Sequence, residues 1–250
     1  EIPLFVLRLF IHAVGRLWIH FGYRLLVEGL GNIPRHGGAL LVCNHPSYTD
    51  PLLLQAAMRR GIRFVMYRPY YEKLWLKVPC RALRVIPIDG EDAPREMLRS
   101  LKQVRRLIQS GRLVCVFAEG GVTRTGRIEE FKRGVEVIMR GLNAPIIPVG
   151  LGGVWGAFMS FAGGRLCLRP PFRRPVSVQI GTPIAAASAA GEIRHHVCAL
   201  IHAPEAGGRS QVHLKGSEPR ASLPCVGHSE LPVIPSSPGG ADPTASSTAA

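Results

Sequence analysis

The sequence predicts an α/β sandwich, a mainly parallel sheet flanked by helices, preceded by an amphipathic helix suited to a membrane interface. Short apolar runs alternate with helical stretches from Gly31 to His202, the order expected of strand–helix–strand units. The runs are continuously apolar, as in strands buried on both faces. Residues 2–26 are apolar except for basic side chains every fourth position, which form one drifting stripe on a helix.

Taken in order, Ile2 to Leu26 reads as that first helix, and residues 1–30 as the helix with a lead-in strand. Arg8, His12, Arg16, His20 and Arg24 carry the stripe. A helix lying in the interface would hold these residues among lipid phosphates with its Leu, Phe, Ile and Trp below them. A spanning helix would place Arg16 near mid-bilayer, and an ordinary surface helix packed on its own domain gives the same pattern. Residues 31–203 read as the catalytic-sized domain. Ala39–Cys43, Arg63–Met66, Arg84–Ile88, Leu113–Phe117, Ile146–Leu151 and Val176–Ile180 are expected strands. Pro51–Arg60, Tyr70–Lys77, Pro94–Gln109, Glu129–Leu142 and Gly191–His202 are expected helices, with Gly61, Gly111 and Gly141 as stops. Residues 204–250 turn to Ser, Pro, Gly and Ala without periodicity, which predicts disorder, since such a segment cannot bury enough apolar surface to offset chain entropy.

The formal charge of +14 draws the protein to polyanions: nucleic acid, anionic lipid or phosphorylated substrates. No zinc-finger spacing, basic zipper or RNP-like motif accompanies it, which argues against nucleic acid. The six cysteines show no metal-ligand spacing and mostly sit in apolar runs, fitting a reducing, cytosol-facing compartment. A chain that begins at Glu1 is compatible with one piece of a longer polypeptide.

Two loops carry chemistry. Asn44-His45-Pro46-Ser47-Tyr48-Thr49-Asp50 follows a buried strand, where α/β folds present reactive side chains. Pro46 breaks the chain and Pro51 can start a helix, so a turn can fold Asp50 back to the imidazole. A His held by a carboxylate is a general base; Asp50 as a mere helix cap is the other reading. Ala118-Glu119-Gly120-Gly121-Val122-Thr123-Arg124-Thr125-Gly126 also follows a strand. Glycines allow close backbone approach, and Arg124 with the threonine hydroxyls suits an oxyanion, although a solvated turn has the same composition. His195 and His196 lack companions at metal spacing. No Gly-x-Ser-x-Gly elbow supplies a serine nucleophile. Arg165 and Arg169 with Pro170-Pro-Phe-Arg-Arg-Pro175 form a basic surface loop, open to anionic lipid or to solvent.

The blocks NHPSYTD, VIPID, FAEGGVTRTG and APIIPVGLGG, in this order between Val27 and Gly153, resemble the glycerolipid (lysophospholipid or 1-acylglycerol-3-phosphate) acyltransferase family. The resemblance implies His45 as catalytic base and Asp50 as its orienting partner. It implies an acceptor-phosphate region at Glu119, Gly120 and Arg124, with Asn44, Ser47, Gly121 and Thr123 alongside. Pro87 and Asp89 match the family's second block. The chain departs from the family pattern at Ala118, at Gly121-Val122-Thr123 and at Gly90, where Pro, Thr-Arg-Ser and Arg are common, leaving Arg124 and Arg84 as substitute cations. The wording of the third block looks closest to the 2-acylglycerophosphoethanolamine branch.

The implied reaction is acyl transfer from an acyl-CoA or acyl carrier protein thioester to the hydroxyl of a lysophospholipid or acylglycerol phosphate. It needs no metal or redox cofactor, and takes place on the cytoplasmic face of an anionic membrane surface. The competing reading is a non-catalytic lipid-binding or membrane-tethering module of the same fold.

Overall fold

The computed structural model describes residues 2–202 apart from residues 91, 92 and 163; the expected tail at 204–250 lies outside the described residues. The chain order is α1 (Ile2–Gly22), β1 (Tyr23–Glu28), β2 (Ala39–Cys43), α2 (Asp50–Ala57), β3 (Ile62–Tyr67), α3 (Arg68–Tyr71), α4 (Leu74–Leu83), β4 (Ile86–Ile88), α5 (Pro94–Gln109) and β5 (Leu113–Phe117). There follow α6 (Gly134–Met139), β6 (Ile146–Gly152), β7 (Phe161–Ala162), β8 (Arg165–Leu166), β9 (Arg174–Ile180) and α7 (Ala190–His202).

Seven strands form one sheet in the order β1-β9-β6-β2-β5-β3-β4. From β6 to β4 every pairing is parallel, whereas β9 runs antiparallel to β6 and carries β1 parallel to itself. Along the central strands alternate residues feed two separate cores. Leu41, Cys43, Cys115 and Ile147 pack with Ile19 of α1 and Leu53 and Leu54 of α2. Leu40, Val42, Val114 and Ile146 pack with Val104 of α5, Ile138 of α6 and Ile193 of α7. This two-sided burial explains the absence of polar alternation in β2 and β5.

Several boundaries differ from expectation, four of them for a visible reason. The first helix ends at Gly22, because Tyr23–Glu28 pairs residue for residue with Arg174–Gln179. The helix expected at Tyr70–Lys77 divides at Glu72 and resumes from Leu74 to Leu83 with Pro79 inside it. The strand expected from Arg84 begins at Ile86, since Arg84 adopts the left-handed conformation, φ 56°, that ends α4. The helix expected from Glu129 begins at Gly134, because the amides of Glu129 and Lys132 donate to Glu119 and to the Ala118 carbonyl instead of to a helical turn.

The basic stripe of α1 lies on a different side from that expected. Arg8 and His12 are half-buried and Arg16 donates to the Met58 carbonyl at 3.4 Å, so the stripe starts against the domain and drifts outward to the exposed His20. Four residues turn a helix by about 400°, so each step of the repeat lands about 40° past the one before. The outward face is apolar: Phe5, Val6, Leu9, Phe10, Val14, Leu17 and Phe21 are all exposed.

Candidate active site

The parallel register assembles the site. Cys43 of β2 faces Phe117 of β5, so His45 and Glu119, each two residues beyond its strand, emerge side by side at the carboxyl edge of the sheet. The His45 amide donates to Glu119 Oε1 at 2.7 Å, and the Glu129 amide donates to Oε2 at 2.9 Å. Both oxygens of this largely buried carboxylate are thereby spent on backbone, and Glu119 is the joint between the two loops. Burial pushes its pKa up, opposed by those two amides.

His45 Nδ1 lies 2.8 Å from Asp50 Oδ2, and the same oxygen accepts the Ser47 amide at 2.9 Å. Asp50 opens α2 beside Pro51, with Thr49 rather than Asp50 in the cap position. Its carboxylate is fully buried, and its pKa is raised by burial, opposed by His45 and the Ser47 amide. The turn therefore folds the acid back onto the ring. The imidazole also stacks on Phe117, centroids 3.9 Å apart at 14°. With Nδ1 committed to the carboxylate, a proton held there leaves Nε2 as the basic nitrogen. Such a pair can accept a hydroxyl proton and stabilise the resulting imidazolium.

The remaining residues divide into framework and surface. Asn44 takes the amide and carbonyl of Leu151, at 2.8 and 3.1 Å, and so sutures the end of β2 to β6. Ser47 is fully buried; its hydroxyl meets Thr49 Oγ1 and donates to the Phe158 carbonyl, each at 2.9 Å. Thr123 Oγ1 accepts the Thr125 and Gly126 amides and donates to the Arg127 carbonyl, closing the third-block loop on itself. Gly120 has φ +80°, and a Cβ there would come within 2.7 Å of Lys132 Cε. Gly121 has open space around it. Arg124 is exposed, its guanidinium 5.0 Å above the Phe161 ring. It borders an open cleft of about 550 Å³ also lined by Glu119, Gly121, Val122, Thr123, Glu129 and Glu130.

Arg84 is not brought to this cluster. It precedes β4, at the opposite end of that strand from Asp89, next to Leu83, whose carbonyl accepts from Arg63. The cation found at the carboxyl edge is Arg68, which holds Asp89 through Nε–Oδ1 at 2.5 Å and a second nitrogen to Oδ2 at 2.9 Å. The β3–β4 register, Tyr67 opposite Ile88, makes them neighbours. Phe117, Arg68 and Tyr48, whose ring meets His45 on one side and Tyr70 and Phe161 on others, were missed in the sequence. Only their places at the ends of apolar strands or in the histidine block could have signalled them. Among the described residues no group of His, Cys, Asp and Glu could hold a metal ion.

The acyltransferase family model matches residues 24–152. A chloroplastic 1-acyl-sn-glycerol-3-phosphate acyltransferase of Arabidopsis thaliana is 27% identical over 58% of this chain and 42% of its own length. A 1-acyl-sn-glycerol-3-phosphate acyltransferase of Cocos nucifera is 26% identical over 76% of this chain and 62% of its own. The chain thus spans about half the length of the curated relatives it matches. The crystal structure of the 1-acyl-sn-glycerophosphate (LPA) acyltransferase PlsC from Thermotoga maritima superposes with a TM-score of 0.57 at 22% identity, covering 76% of this chain and 75% of that one, a likeness of fold. Since the family model spans more than half of the 250 residues and includes both loops that meet at His45, the chain belongs to the acyltransferase family.

Proposed function

We propose that the protein transfers a fatty acyl group from a thioester, acyl-CoA or acyl carrier protein, to the free hydroxyl of a lysophospholipid or acylglycerol phosphate. The observation that carries this reading is the 2.8 Å contact between His45 Nδ1 and a fully buried Asp50. The acceptor hydroxyl gives its proton to His45 Nε2 while its oxygen bonds to the thioester carbonyl. The tetrahedral adduct then expels the sulfur, and the proton on Nε2 passes to the departing thiolate, leaving ester and free thiol. Arg124 beside the cleft supplies the cation for the acceptor's phosphate. A lipid-binding module without turnover would have no use for a buried acid oriented on a histidine.

The reaction takes place at a membrane surface, because the acceptor is a lipid and the exposed face of α1 is apolar along most of its length. That helix is long and apolar enough to cross a bilayer. Its other side is occupied by its own domain, through Ile19 in the core, Gly15 on Leu52 and Arg16 on Met58. This supports a helix lying in the interface over one that spans.

The test is turnover by purified protein on lysophosphatidic acid and other lysophospholipids with acyl-CoA and acyl carrier protein donors, beside His45→Ala and Arg124→Ala. His45→Ala should lose about 10² to 10⁴-fold. Arg124→Ala should raise the acceptor KM and leave that of the donor. Turnover unchanged in His45→Ala would overturn the reading.

A further inference from the structure

One surface element has no part in the acyl-transfer chemistry. Between β7 and β9 the chain projects a short tip: Phe172 is 90% exposed and Leu168 62% exposed. A single exposed apolar side chain is ordinary, but several that adjoin form a patch of the kind that marks a contact. Arg165, Arg169 and Arg173 are exposed on the same segment and form no ion pair among the described residues. Not one Asp or Glu occurs from residue 137 to residue 191, so no nearby carboxylate in the sequence offsets them.

The tip is held, not loose. At its root Arg174 donates to the carbonyls of Gly153, Trp155 and Gly156 at 2.9 to 3.1 Å. On the other flank the Cys167 amide and carbonyl pair with Ser160 and Met159 at 2.8 and 2.7 Å. Pro171 packs against Gly22, where a Cβ would meet its ring at 3.0 Å. The tip is therefore continuous with the carboxyl end of α1, whose Leu17 and Phe21 are 59% and 68% exposed.

We propose that Arg165 to Arg173 is a second lipid-contacting element, seating Phe172 and Leu168 among acyl chains and its three arginines among anionic headgroups. It rests on the membrane-surface reading given above. Aromatic and aliphatic side chains flanked by guanidinium groups match a bilayer's layering, apolar below and anionic above. Two contacts, α1 and this tip, fix the domain's orientation on the surface where a single helix would leave it free to roll.

Phe172→Trp and the parent protein are compared for fluorescence quenching by brominated phospholipid vesicles containing phosphatidylglycerol. Extra quenching assigned to position 172 is expected. Phe172→Ser should weaken vesicle binding about tenfold. Arg165→Gln with Arg169→Gln and Arg173→Gln should weaken it by a similar factor, only on anionic vesicles. Turnover on a water-soluble short-chain acceptor should stay unchanged in all of them. Bound protein whose residue 172 is not quenched overturns this inference and leaves the membrane reading standing, and failure of the parent protein to bind any vesicle overturns both.

Discussion

The imidazole of His45 lies flat on the phenyl ring of Phe117, centroids 3.9 Å apart. Asp50 fixes the ring along one edge and Phe117 supports its face, so two different elements define its plane. Phe117→Leu keeps the bulk but removes the flat support. It should lower kcat about tenfold with a small change in KM, since small misplacements of a catalytic group cost rate more than binding. Steady-state kinetics on one acceptor decides this, and unchanged kcat would show that Asp50 alone suffices.

Asp50→Asn should impair turnover severely, by a factor approaching that of His45→Ala. An amide can present its NH₂ to Nδ1, which favours the wrong tautomer, and carries no charge to stabilise the imidazolium. Circular dichroism should stay native-like. Near-normal turnover in this variant would reduce Asp50 to a helix-opening residue.

Asn44→Ala tests framework rather than chemistry. The substitution leaves the Leu151 amide and carbonyl buried without partners, which should cost about 2 to 4 kcal/mol in urea unfolding. A loss below about 0.5 kcal/mol would mean that water replaces the side chain.

Glu119 sets a pH dependence. Its folded pKa is raised above 4.5 by burial, so between that value and the folded pKa the native state holds a proton that the unfolded chain has released. The contribution of this carboxyl to stability therefore falls as pH rises through that window. Glu119→Gln removes the titration and one of two amide acceptors. The variant should be less stable than the parent at low pH, with the gap narrowing as pH rises. Denaturation midpoints of both proteins from about pH 4.5 to 7 measure it, and a gap that widens would refute the direction.

On α1 the outward apolar face should matter more than the basic stripe. Phe10→Ser with Leu17→Ser should weaken vesicle binding by more than tenfold, whereas Arg8→Gln with Arg16→Gln should change it less, because those two side chains begin against the domain. Vesicle sedimentation compares them. Resistance of the parent protein to carbonate extraction from membranes would favour a span.

Much of this architecture was legible because continuous apolar runs are hard to disguise. Ala39–Cys43 and Leu113–Phe117 coincide with the strands observed, and Pro94–Gln109 coincides with α5. The pairing of His45 with Asp50 was legible from the two prolines that bend the turn. The framework roles of Asn44, Ser47 and Glu119 were not, since each depends on which backbone groups from distant segments arrive beside it: Leu151, Phe158 and Glu129. A lead-in strand was expected within residues 1–30, but where it starts was hidden, because Tyr23–Glu28 continues the apolar character of the helix before it and only pairing with β9 distinguishes it. The side of α1 that faces inward was hidden too, because a helix with one basic stripe can bury either the stripe or the remainder.

Helix α1 ends at Gly22 and β1 begins at Tyr23, with no residue between them. The joint has no linker, and its glycine is packed against Pro171, so a torque on the helix passes into β1. From there it reaches β9 through six paired positions and β6 beyond. Whatever seats the helix thus also sets the heading of the whole sheet, as a handle forged in one piece with its blade steers the edge.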